Sequence, residues 1–136
     1  MRDQSAPGRT LWLVRHGESS WNAAGLVQGQ RDGQMLTLHG RHQARRVAKR
    51  LASQSIASIV SSDLQRALQT AMPLSKILDL KVESDPRLRE RSLGAFEGLP
   101  IAALTPEVTG IVDGRIVDTG AKPEDGESLD EFHRRV

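Results

Sequence analysis

Apolar positions along this chain follow two rhythms. "TLWLV" at 10–14 is a short uninterrupted apolar run, the pattern of a central strand covered on both faces. From Thr37 the rhythm turns helical: Ala44, Val47, Ala48 and Leu51 recur at i, i+3, i+4 and i+7, while Arg41, Arg45, Arg46, Lys49 and Arg50 take the other faces. "IASIVSS" at 56–62 predicts a second strand, and the "SDLQ" behind it has capping-box spacing, with Ser62 as N-cap and Gln65 at N3. A helix from Asp63 to about Leu78 follows, with a kink or break expected at Pro73, which has no N–H to donate. "LKVES" at 80–84 predicts a third strand. Strand, helix, strand, helix, strand at this spacing predicts an α/β layered fold with a mostly parallel sheet.

Periodicity then weakens. "DPRLRERSLGAFEGLP" reads as loop, residues 105–126 are rich in Gly, Pro and Asp, and "GESLDEFHRRV" predicts a capped helix starting near Glu127 that is still running at Val136. The expected organisation is a flexible leader at 1–9 and one domain at 10–136, incomplete at its C-terminus.

Composition narrows the chemistry. With 136 residues and 38% of them hydrophobic, one ordinary core is the expectation. A formal net charge of only +2 does not point to nucleic acid or membrane, and the basic face of the first long helix reads as a solvated surface. Cys is absent, which removes disulfides, thiolate metal sites and thiol nucleophiles. The first residues are polar and no apolar run approaches membrane-spanning length, so a soluble, cytoplasmic protein is expected. Trp12 and Trp21 read as core or pocket wall, and His39 with His42 lacks a matching carboxylate for a metal site.

Parallel sheets bind ligands beyond the carboxyl ends of their strands. Arg15, His16 and Glu18 follow the first predicted strand, and Arg66 falls in the first turn of the helix after the second. Two arginines beside a helix start make a pocket for a dianion such as phosphate. A neutral imidazole there can attack phosphorus, arginines can neutralise the equatorial oxygens, and a nearby carboxylic acid can protonate the leaving alkoxide. No Walker-type loop and no closely spaced aspartate pair at a strand end is present, so this chemistry calls for no metal or other cofactor.

Four segments, in order, resemble the histidine phosphatase, or phosphoglycerate mutase-like, superfamily: "RHGESSWN", "SSDLQRALQTA", "LRERSLGAFEG" and the "GES" at 126–128. The resemblance runs from about residue 10 to the end. It implies a three-layer α/β/α fold, His16 as nucleophile, Arg15 and Arg66 as phosphoryl clamps, Glu90 as proton donor, Asn22 as a polar residue lining the phosphate site, and Gln28 with Gly29 in a loop that closes on substrate. Gly17 matches the small residue after the nucleophile. The family's second pocket histidine lies on a later strand, which this chain does not reach. Its last strand and helix are therefore expected to be missing, no other histidine here takes that role, and the chain by itself is expected to be marginally stable or aggregation-prone.

The resulting expectation is a metal-independent phosphatase acting on a small phosphorylated metabolite through a phosphohistidine. A phosphoglycerate mutase and an inactive, truncated phospho-ligand-binding fragment stay open as alternatives. The expected partner is the small phosphorylated substrate, with no nucleic acid and no membrane; a homodimer stays open.

Overall fold

The computed structural model describes residues 9–105, 111–112, 115–116 and 122–136. The expected leader therefore lies outside the described residues up to residue 8, as does much of the stretch rich in Gly, Pro and Asp. A single-turn helix α1 (Ser20–Ala23) comes first, then α2 (Leu38–Leu51), β1 (Ile59–Ser61), α3 (Gln65–Leu78), β2 (Val82–Ser84), three 3-10 turns, and a short antiparallel pair, β3 (Ile111–Val112) with β4 (Arg115–Ile116). Helix α4 (Leu129–Arg135) closes the order. β1 and β2 pair in parallel with α3 between them in sequence, Ile59 opposite Val82 and Ser61 opposite Ser84.

Each long element forms for a local reason and is held by a shared apolar seam. In α2, Thr37 is the N-cap, its hydroxyl accepting from the Gly40 N–H at 3.0 Å, and the buried residues Gly40, Ala44, Ala48 and Leu51 share one face. Lys49 and Arg50 in its last turn complement the helix dipole. Ala48 and Leu51 meet Ile59 of β1 and Leu74 of α3 in one core cluster, with Val47, Ile56, Ala71, Leu78, Leu80 and Val82 packed around it. Ser128 and Glu131 form a reciprocal capping box at the start of α4, close to the expected boundary.

Three expectations are corrected. Residues 10–14 are not in a strand, and Leu11 and Leu13 are 81% and 87% exposed while Trp12 and Val14 are about half exposed. An apolar run becomes a central strand only where neighbours accept its backbone hydrogen bonds and helices cover both faces; among the described residues the parallel sheet is β1 and β2 alone. The Ser62 capping box does not form: α3 begins at Gln65 behind Leu64, which has no side-chain cap bond. The Gln65 N–H instead donates to Asp32 Oδ1 at 2.9 Å, a cap from 33 residues away. Pro73 does not interrupt α3, which runs unbroken to Leu78 with Leu74 and Ala71 anchored in the core. Among the described residues no helix is long and apolar enough to cross a membrane.

Candidate active site

His16 follows the segment 10–15, which belongs to no regular element, and the residues after it are tied to α2, its N-cap and α3. The Gly17 N–H donates to Thr70 Oγ1 of α3 at 3.0 Å, and Thr70 in turn donates to the Arg66 carbonyl at 2.7 Å. The Glu18 N–H donates to Gln43 Oε1 of α2, and the Glu18 carbonyl accepts from the Thr37 N–H. The Glu18 carboxylate accepts from the Thr37 hydroxyl at 2.6 Å. Gly17 has to be small because a Cβ there would meet the Gly40 carbonyl at 2.5 Å. The segment carrying His16 is thus clamped between α2 and α3.

The ring's own bond decides its tautomer. His16 Nδ1 lies 2.7 Å from the Gly17 carbonyl, and since that oxygen only accepts, Nδ1 carries the hydrogen and Nε2 keeps its lone pair. Burial holds the imidazole below its ordinary pKa. The bond to Gly17 opposes that, the Arg66 and Arg15 charges add to it, and Glu90 pulls the other way. His16 thus feels the charges of Arg66, Arg15 and Glu90, and Arg66 feels that of Glu90. The cleft lined by Arg15, His16, Gly17, Gln43, Ala44, Val47 and Thr70 reaches His16 from the α2 side, but Arg66 and Glu90 are not among its walls. Charge arrangement, more than concavity, marks this site.

Arg66 is only 2% exposed. Its guanidinium donates to the Gly29 carbonyl at 2.7 Å and to the Arg31 carbonyl at 3.4 Å, while Nε has no partner among the described residues. Burial lowers its pKa, and Glu90, Asp32 and Glu97 counter that. A guanidinium is so strong a base that it stays charged here under any ordinary condition. Arg15, by contrast, is exposed.

Asn22 and Gln28 converge on the fully buried Ser19. The Ser19 N–H donates to Asn22 Oδ1 at 3.0 Å and the Asn22 N–H to Ser19 Oγ at 3.1 Å, a capping box that starts α1. Ser19 Oγ donates to Gln28 Oε1 at 2.7 Å. Both carboxamide oxygens are thereby engaged as acceptors. Gly29 is buried, and a Cβ on it would run into the Glu97 carboxylate, so here its smallness serves packing.

Glu90 is exposed and its Oε1 accepts from the Arg91 N–H at 2.9 Å. Two neighbouring arginines are engaged with other carboxylates, Arg87 with Asp85 at 2.6 Å and Arg89 with Asp63 at 2.5 Å. Sequence reasoning missed Ser19, Thr70 and Glu97. Glu97 is 7% exposed, and its carboxylate accepts from the backbone N–H groups of Gln30, Arg31 and Leu93 at 3.0, 2.7 and 2.9 Å. The only signal for it was an acidic residue inside the apolar, Gly-rich "LGAFEGL".

A clamped histidine whose Nδ1 is engaged, a buried arginine and a carboxylate whose charge acts on both are thus brought together in an α/β fold with a parallel sheet. The chain belongs to the histidine phosphatase superfamily (branch 1), whose sequence profile matches residues 11–136. Among curated proteins it is 46% identical over 134 residues to the "Probable phosphoglycerate mutase GpmB" of Yersinia enterocolitica, covering 93% of this chain and 59% of that relative. This chain thus spans 59% of the length of that relative. A mycobacterial glucosyl-3-phosphoglycerate phosphatase solved with VO3 superposes with a TM-score of 0.76 at 37% identity, over 88% of this chain and 57% of the other. TTHB049 from Thermus thermophilus superposes at 0.71 and 35% identity, over 90% and 65%.

Proposed function

We propose that this chain carries the phosphoryl-transfer centre of a metal-independent phosphatase that hydrolyses a small phosphorylated metabolite through phospho-His16. The observation that carries the reading is the His16 ring: Nδ1–H held by the Gly17 carbonyl, a pKa lowered by burial, and two arginines within electrostatic reach. Neutral Nε2 is then the nucleophile at neutral pH. It forms the N–P bond as the P–O bond to the leaving group breaks, and Arg66 and Arg15 stabilise the charge on the equatorial oxygens. The N–H2 groups of Asn22 and Gln28 add neutral donors. Glu90 gives its proton to the departing oxygen and afterwards takes one from the water that releases phosphate from His16. The phosphatase name of the mycobacterial neighbour, and its VO3 ligand, support an oxyanion of this shape in the site.

The relative named as a phosphoglycerate mutase favours a second reading, in which the phosphoryl group returns to a substrate hydroxyl instead of water. The test is hydrolysis of p-nitrophenyl phosphate in chelator by the chain and by His16→Ala, with rapid alkaline quench to trap a base-stable, acid-labile phosphoprotein. Turnover and phosphoprotein are expected in the chain and neither in the variant. Turnover surviving His16→Ala sinks the proposal. Interconversion of 2- and 3-phosphoglycerate outpacing hydrolysis decides for the mutase.

A further inference from the structure

The segment that carries Glu90 has little regular structure of its own: a 3-10 turn at Pro86–Leu88, then extended backbone at Arg89. Its side chains are tied by Arg89 to Asp63 and by Arg91 Nε to the Glu127 carbonyl, and its backbone carbonyls are held from α4. Arg135 Nη1 donates to the carbonyls of Arg87 and Arg89 at 2.8 and 3.0 Å, and Nη2 donates to the carbonyl of Glu90 at 3.2 Å. Nε and Nη2 also donate to the Glu127 carboxylate at 2.6 and 2.8 Å. These five bonds match the five N–H donors a guanidinium owns. Glu127 completes the brace by accepting from the Ser92 N–H at 2.8 Å and from the Gln30 side chain at 3.1 Å. The Arg135 charge holds the Glu127 carboxyl below its usual range, so the pair stays ionised.

We infer that Arg135 is a positioning residue for Glu90, fixing through three backbone carbonyls the place from which the carboxyl meets the leaving oxygen; this rests on the reading of Glu90 as proton donor. No other side-chain type reproduces the arrangement. A lysine keeps the charge but has three donors on one atom and no planar fork, so it cannot span the carbonyls and both carboxylate oxygens together. Proton donation matters most when the leaving group is basic. Displacing Glu90 therefore costs an alkyl phosphate more than it costs p-nitrophenyl phosphate, whose leaving group departs with little help.

The experiment compares the chain with Arg135→Lys, Arg135→Ala and Glu90→Gln on p-nitrophenyl phosphate and on glycerol phosphate, with amide hydrogen exchange read in parallel. Arg135→Lys is expected to lower kcat at least about tenfold more on glycerol phosphate than on p-nitrophenyl phosphate, as a fraction of the roughly 10²–10⁴ that acid catalysis supplies. KM is expected to stay nearly unchanged. Amides of Leu88, Arg89, Arg91, Ser92 and Leu93 should exchange faster while those of α2 and α3 do not. If Glu90→Gln shows no selective loss on glycerol phosphate, the reading of Glu90 is wrong and this inference goes with it. If Glu90→Gln shows the selective loss and the Arg135 variants lose both substrates equally, or lose neither, the inference alone is overturned. Should the chain turn over neither ester, the exchange decides: faster exchange confined to 88–93 upholds the brace, and unchanged or uniformly faster exchange overturns it.

Discussion

Replacing Glu97 by alanine tests how the loop behind Arg66 is built. The carboxylate sits nearly out of solvent and accepts three backbone N–H groups, from Gln30, Arg31 and Leu93. A hydrogen bond to a charged group contributes about 1.5–3 kcal/mol net, so three sum to roughly 5–9 kcal/mol if every donor were stranded. They are not all stranded: Arg31 is exposed and Gln30 and Leu93 are half-buried, so water partly compensates the freed amides once the side chain is gone. The working figure is therefore about 2–4 kcal/mol, less than half of the uncompensated sum. Against a domain stability of about 5–15 kcal/mol that is a large share. With a urea slope of about 1–3 kcal/mol per molar, the midpoint should fall by about 1–2 M. The carbonyls of Gly29 and Arg31 that hold Arg66 lie in the same loop. Vanadate affinity, measured by protection against urea, should accordingly weaken more in Glu97→Ala than in Glu97→Gln, which keeps one acceptor oxygen. A midpoint shift below about 0.3 M would show that Glu97 is a bystander and that the loop stands on other contacts.

Two further substitutions or conditions give clear signs. Gly40→Ala should stabilise an ordinary helix by about 1 kcal/mol, but a Cβ there would collide with the Glu18 backbone, so the net effect is a destabilisation of about 1–3 kcal/mol. A raised urea midpoint in that variant would mean the His16 segment is not pressed against α2. His16 titrates lower folded than its ordinary 6.5, so as pH falls from 6.5 toward the folded value the unfolded chain binds the proton first and stability is lost. The loss of urea midpoint between pH 7 and pH 5.5 should be larger in the chain than in His16→Asn, and an NMR titration of the His16 Cε1 proton should have its midpoint below 6.5. A midpoint at or above that value refutes the buried, neutral imidazole.

Local sequence carried much of this protein. The 3.6-residue spacing of Ala44, Ala48 and Leu51 after Thr37, the capped start expected near Glu127, and the β-rich "SIV" and "KVES" runs each act within one turn or one strand, and those elements stand close to where the pattern put them. The groups proposed as reactive, Arg15, His16, Arg66 and Glu90, could be named from the sequence, the last of them only through the family resemblance. What failed was whatever depended on a partner far along the chain. An apolar run at 10–14 cannot be a strand without a ladder beside it, and the start of α3 is set by Asp32 and not by the nearer Ser62. The tautomer of His16, the buried setting of Arg66, the buried carboxylate of Glu97 and the five-bond brace of Arg135 were decided only by tertiary structure. Apart from the His16 tautomer, which rests on the carbonyl of the next residue, these are hydrogen bonds or desolvations that arise largely where segments far apart in the chain meet, and no local pattern of side chains encodes which segments those are.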